Sequence, residues 1–232
     1  MTRLVVPEIL DDLDPADPRA RASRRDLARI NALMAQGAIA AGLLRRTLRG
    51  SSPRLLEIGA GDGAFSLGIA RRLARGGLHG EIVLLDRLEA ADPSLLAGFE
   101  AIGWRARRVT ADAFAWLDGE GRDFGVDAVC ANLFLHHFEE PMLRRLLRAC
   151  RRAAPVFACT EPSRDRFSLV SSRLVGLIGA NDVTRHDAPA SVRAGFRPGE
   201  LSALWPVSGE VVEDRRRGPF TLAFAARREG AA

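Results

Sequence analysis

Two periodicities divide the chain. Up to about residue 50, apolar positions recur every three or four residues, first at Leu27, Ile30, Leu33 and Met34, then at Leu43, Leu44 and Leu48 after a break at Gln36-Gly37. That spacing lines one face of a helix and predicts a helical cap over residues 1–50. Ser51-Ser52-Pro53 punctuates the chain, and from Arg54 onward short apolar runs alternate with helical stretches. Strands are predicted at 54–58, 81–86, 105–110, 126–132, 156–160, 209–214 and 220–226, with a helix after each of the first five. Strands joined by crossover helices run parallel, whereas the last two, linked by the arginine-rich turn 215–219, form an antiparallel hairpin. The expected fold is therefore α/β: a doubly wound, seven-stranded mixed sheet with a C-terminal hairpin and an N-terminal helical cap. The main domain would span 51–232, with an insert at about 162–205, and residues 227–232 would fray.

Composition narrows the picture. The chain has 232 residues, 47% of them hydrophobic, enough to bury a core without metal or disulfide staples. No apolar run approaches the roughly 20 residues a membrane span needs, and the first residues lack the basic start and long apolar stretch of a secretory signal. A cytoplasmic protein is expected. Cys130, Cys150 and Cys159 match no redox pair or zinc set and read as reduced, structural thiols. The net charge of +5 raises nucleic acid as a partner, but the basic residues are all arginine. Arg144, Arg145, Arg148, Arg151 and Arg152 share the solvated face of one amphipathic helix, opposite Leu143, Leu146, Leu147 and Cys150. With no tyrosine to interleave, a nucleic-acid surface is not expected.

The strongest chemical signal is Leu55 to Gly63, LLEIGAGDG, a strand running into a glycine turn and then a helix. Glycines let the backbone turn tightly and approach a ligand closely. A dinucleotide site carries GxGxxG and seats a pyrophosphate; here the pattern is ExGxGxG, and the carboxylates of Glu57 and Asp62 would repel phosphate. A cationic or zwitterionic ligand is favoured, and S-adenosylmethionine, with its sulfonium and amino group, fits. Asp86 ends the second strand, where a carboxylate can accept two ribose hydroxyls. Asp112 follows the third strand and can receive an adenine amine.

Together with Asn132-Leu133-Phe134-Leu135-His136-His137-Phe138, these residues resemble the class I S-adenosylmethionine-dependent methyltransferases over roughly residues 54–160. The resemblance implies that Glu57, Gly59, Ala60 and Gly61 cradle the methionine part, Asp86 and Arg87 the ribose, and Asp112 and Ala113 the adenine. Asn132 and Leu133 would close over the methionine end. A flavin or nicotinamide protein in which Glu57 merely caps a helix is the competing reading.

The acceptor is less legible. His136-His137-Phe138 resembles the LHHF stretch of quinone-pathway C-methyltransferases. In placement it also resembles the His-Asp-Trp stretch of small-molecule O-methyltransferases, whose histidine removes the acceptor proton. His136 and His137 are the candidate catalytic residues; packing against the cofactor or capping the next helix is their alternative. Glu161, Arg164, His186 and Arg193 are candidate acceptor contacts. Glu161 equally suits a salt bridge with Arg164 or Arg173, and Asp187 suits an N-cap for a helix over 189–195. The apolar helix carrying Leu169, Val170, Leu174, Val175, Leu177 and Ile178 is expected to line the acceptor pocket with the cap. The magnesium set of catechol-type enzymes, two carboxylates and an amide, has only Asp112 and Asn132 as candidates, so no metal is expected. The leading expectation is methyl transfer to a hydroxyl of a small aromatic or polyketide-like acceptor. C-methylation of a quinone-like or lipid acceptor and a non-catalytic cofactor-binding protein are the alternatives. A homodimer is one assembly the sequence allows.

Overall fold

The computed structural model describes residues 1–14, 16–88 and 93–228. In chain order the elements are α1 (Ile9–Asp12), α2 (Pro18–Leu33), α3 (Gln36–Thr47), β1 (Arg54–Ile58), α4 (Ala64–Ala74), β2 (Glu81–Asp86), α5 (Pro93–Glu100), β3 (Arg105–Thr110), α6 (Ala113–Asp118), β4 (Ala128–Asn132), α7 (Glu140–Ala153), β5 (Val156–Pro162), α8 (Arg166–Arg173), α9 (Asp182–Ala194), α10 (Glu200–Leu204), β6 (Val211–Arg217) and β7 (Thr221–Arg227). The sheet order is β3-β2-β1-β4-β5-β7-β6. β1 to β5 pair in parallel, and β7 slots antiparallel between β5 and β6. The chain winds outward from β1 to β3, then restarts on the other side with β4. Between β1 and β4 the loops diverge and open a crevice at the strands' C-terminal ends.

Alternate residues of each strand serve the two faces. Leu55, Ile82, Leu84 and Ala158 pack with α3, α4 and α5 on one side. Leu56, Ile58, Leu85 and Phe157 pack with α6, α7 and α10 on the other. In the central strands β1, β2, β4 and β5 neither face meets water, which explains why they read as largely apolar runs, whereas the edge strands β3 and β6 keep exposed, arginine-rich positions. α3, expected in the cap, instead lays Ala40, Ala41, Leu43 and Leu44 into the sheet's own core. The thiols of Cys130, Cys150 and Cys159 are buried and unpaired.

The hairpin differs from expectation at its turn. Arg215 to Arg217 belong to β6, and the reversal falls on residues 218–220, where Gly218 takes φ +68°. β6 starts late because residues 208–210 make a turn of 3₁₀ helix that sends the Glu210 carboxylate inward to Arg151 and the Trp205 indole. β4 starts at Ala128, and Asp127 just before it grips the end of β1 twice, its carboxylate accepting the Arg54 N–H and its own N–H donating to the Arg54 carbonyl. Arg227 ends β7, and residues 229–232 of the expected frayed tail lie outside the described residues. Among the described residues no single helix is long and apolar enough to cross a membrane.

The insert holds a further difference. Asp187 does not cap a helix over 189–195; α9 begins at Asp182 with Asn181 as its cap, and Pro189 sits inside it. The Asp187 carboxylate instead accepts the N–H groups of Ile9 (3.0 Å) and Leu10 (3.0 Å), capping α1 from a distant part of the chain. Four-residue α1 cannot stand alone. Asp187→Ala is therefore expected to speed amide exchange at residues 9 and 10 by at least about tenfold, since a hydrogen bond to a charged group contributes about 1.5–3 kcal/mol. Unchanged exchange there would refute this anchoring role.

Candidate functional site

β1 delivers the chain into the glycine turn at the crevice. Gly59, Gly61 and Gly63 all take positive φ, at +69°, +53° and +82°. At Gly59 a Cβ would stand 2.3 Å from the Phe134 ring, so only glycine fits beneath that aromatic side chain. Asp86 clasps the turn from the tip of β2: its Oδ2 accepts the Gly61 N–H at 2.7 Å and its Oδ1 the Leu88 N–H at 2.8 Å. Arg108 braces the other side, donating to the Gly61 carbonyl at 2.7 Å. The sequence offered no hint of this beyond the run of arginines in β3. Asp112 caps α6 through Oδ1, taking the Phe114 and Ala115 N–H groups, while Oδ2 makes no hydrogen bond among the described residues.

Glu57 is fully enclosed below the turn and hydrogen-bonded to the Ser66 hydroxyl. Burial, reinforced by the charges of Asp62 and Asp86, lifts its pKa from the ordinary 4.5 to about 8. A folded-state pKa above the unfolded one gives stability that is complete below the unfolded value and lost as pH rises through the folded value. Thermal stability of the ligand-free protein should thus decline between about pH 5 and 8. Glu57→Gln should flatten that decline in a pH series of melting curves; an equally steep slope in the variant would exclude Glu57 as its source.

β4 leaves the sheet abruptly. Leu133 adopts φ +50°, a left-handed conformation that is costly for a branched side chain, and turns the chain so that Phe134 and the two histidines face the crevice. Glu161, at the end of β5, organises this segment. Its Oε1 accepts the N–H groups of Phe134 (3.0 Å) and Leu135 (2.8 Å), and its Oε2 meets His136 Nδ1 at 2.8 Å. Glu161 is 0% exposed and points at His136 instead of an acceptor. With Nδ1 engaged, His136 presents Nε2 outward, 3.4 Å from Glu8 Oε1. Burial alone would lower the His136 pKa, but the hydrogen-bonded Glu161 and the nearby Glu8 carboxylate prevail and raise it to about 9. Glu8 responds in kind: burial opposes its charge, yet His136, His137 and Ser191 hold its pKa below the usual carboxylate value. His137 Nδ1 lies 3.1 Å from Asp11 Oδ2.

Glu57, Gly59, Ala60, Gly61, Asp86, Arg87, Asp112, Ala113, Asn132, Leu133, His136 and His137 all line one cavity of about 690 Å³, closed on top by Glu8, Leu10, Asp11, Leu27 and Asn31 of the cap. The other expected acceptor contacts lie elsewhere. Arg164 is buried in bonds to the Gly195 and Met1 carbonyls and Glu200. His186 points to solvent, its side chain 58% exposed and its Nδ1 on Asp187 Oδ1 at 2.9 Å. Arg193 does not line the cavity, and its carbonyl receives the Leu4 N–H. The apolar segment from Leu169 to Ile178 is also absent from the cavity wall; Val170, Leu174, Leu177 and Ile178 face outward. Glu8 and Asp11 escaped the sequence reading because nothing near them in the chain signals chemistry.

The strand order, with the glycine turn at the switch point, is a doubly wound arrangement shared with solved methyltransferase structures. No family profile matches the sequence, and no curated protein matches it. Solved structures do. The mitomycin 7-O-methyltransferase MmcR is 18% identical, with a TM-score of 0.57 over 94% of this chain and 60% of its own. TnmH is 22% identical, with a TM-score of 0.56 over 96% and 62%. The plantazolicin methyltransferase BpumL, in complex with SAH, is 11% identical, with a TM-score of 0.56 over 92% of both chains. The chain thus spans about three fifths of the first two structures, and these likenesses establish the fold.

Proposed function

We propose that this chain transfers a methyl group from S-adenosylmethionine to a small acceptor, at a hydroxyl of an aromatic or polyketide-like molecule. The observation that carries the reading is the shared cavity: the glycine turn, Asp86, Asp112 and His136 line one cleft at the switch point of the sheet. The turn and the acids suit a ligand with a positive charge and an adenosyl group. Neighbouring folds belong to enzymes such as the mitomycin 7-O-methyltransferase, and BpumL is in complex with SAH. In-line displacement at the sulfonium carbon needs the two reactants held in register and the hydroxyl relieved of its proton. His136, fixed through Nδ1 by Glu161, draws off that proton when in its own deprotonated form, so turnover should rise with pH toward about 9, and the cap shields the site from above.

Titration calorimetry with S-adenosylmethionine, NAD and FAD tests the cofactor. Turnover of methyl-labelled cofactor with a panel of phenols tests the reaction, and proton NMR of the product separates an ether methyl from a carbon methyl. Binding of NAD or FAD with no response to S-adenosylmethionine would defeat the proposal. Cofactor binding without turnover on any acceptor would favour a non-catalytic binding protein.

A further inference from the structure

Glu8, His136 and His137 line the cavity with their donor atoms all within 4.8 Å of one another. Two features of this group are unlike a simple ion-paired cluster. Each histidine has its Nδ1 on a carboxylate, His136 on Glu161 at 2.8 Å and His137 on Asp11 at 3.1 Å. Carboxylates placed on the far nitrogen fix the ring and its tautomer and make the remaining nitrogen a better donor, the arrangement that supports histidines bound to metal. The separation of His136 Nε2 from Glu8 Oε1, 3.4 Å, is long for a charge-assisted hydrogen bond. It equals the edge of a tetrahedron with metal–donor bonds of about 2.1 Å, which is roughly 3.4 Å.

We propose that Glu8, His136 and His137 form a binding site for a first-row divalent cation, zinc being the ion their donor set suits best, which seats the acceptor oxygen beside the transferable methyl. Two imidazoles and one carboxylate are the protein ligands of catalytic zinc centres that keep a position open for water or substrate. Here that position faces the cavity. The inference rests on the function proposed above and specifies how the acceptor loses its proton. In the cation-bound form His136 serves as a ligand and not as the base, so the hydroxyl proton passes to water; the new oxygen–carbon bond forms as the carbon–sulfur bond breaks, and S-adenosylhomocysteine leaves with neutral sulfur. The catechol-type oxygen ligands that the sequence lacks are a different donor set, so their absence has no bearing on this one.

Cobalt(II) titrated into chelator-treated full-length protein is the test, because a tetrahedral nitrogen–oxygen site gives a visible d–d absorption that does not depend on turnover. The expected result is a saturable, one-to-one band that zinc displaces. Glu8→Gln, on a segment outside the sheet core, and His137→Ala should each abolish it, and Asp11→Ala should weaken binding by about 10–100-fold. No saturable band in folded protein would overturn the proposal. So would a band that survives in both Glu8→Gln and His137→Ala. Asp86→Asn separates the two readings: it should lose S-adenosylmethionine binding and keep the cobalt band. If wild type binds cobalt but not S-adenosylmethionine, the functional reading fails while the metal site stands.

Discussion

Replacing His136 by alanine is expected to slow methyl transfer by roughly 10²–10⁴-fold, the range that a positioned proton-handling group contributes. S-adenosylmethionine affinity should stay within about threefold of wild type, because the groups proposed to surround the cofactor's charge lie at the glycine turn and the strand tips. The distinction is measurable as a fall in kcat at unchanged cofactor Kd. Glu161→Gln supplies the companion result. Glu161 holds the Phe134 and Leu135 N–H groups as well as His136 Nδ1, so the amide can still accept from the backbone but no longer balances the imidazole charge. A smaller loss of kcat is expected, together with a displaced pH profile. If His136→Ala turned over at the wild-type rate, the cavity would still bind the cofactor, but His136 would have no part in the chemistry.

The second large effect concerns stability. Gly59→Ala places a left-handed φ of +69° on a residue with a Cβ and drives that Cβ to 2.3 Å from the Phe134 ring. Backbone strain and overpacking each cost about 1–3 kcal/mol, so a loss of about 2–6 kcal/mol and a fall in Tm of roughly 4–24 °C are expected. Since Phe134 lines the cofactor cavity, its displacement should also weaken S-adenosylmethionine binding by more than about tenfold. Gly61→Ala is the internal control. Its φ of +53° carries strain, but no atom lies within 4 Å of the added carbon, so its Tm should fall less. Equal losses at the two positions would contradict the clash and leave backbone strain as the whole cause.

The sheet was largely legible in the sequence, and the reason is physical. β1, β2, β4 and β5 are covered on both faces, so each appears as a largely apolar run bounded by turn residues, while the edge strand β3, RARRVT, is partly exposed; the limits of β1, β2 and β3 coincide with the predicted 54–58, 81–86 and 105–110. The expected cofactor side was equally local, since a strand, a glycine turn and an acid at the next strand tip repeat within short stretches. The acceptor side was not. Asp187 reaches back to α1, Glu8 reaches forward to His136 and Ser191, and Arg164 is drawn into bonds with Met1 and Glu200. Such pairings leave no periodic trace. Arg164 and His186 looked reactive in isolation, yet one is consumed in packing and the other points to solvent. Glu161 was noticed for its place at a strand end, but its partner could be found only when β4 and β5 were laid side by side.

The position of β7 bears on how the molecule is made. On the ribosome β5 and β6 emerge first; β5 already pairs with β4 but lacks its second neighbour, and β6 has none, until the later strand threads between them. Until then the nascent protein exposes two open hydrogen-bonding edges, the kind of surface on which aggregation starts. A premature stop before Thr221 would therefore strip out an interior plank, not an outer one. Such a fragment is a natural substrate for chaperones and proteases, even though every residue of the cofactor cavity would already have been synthesised.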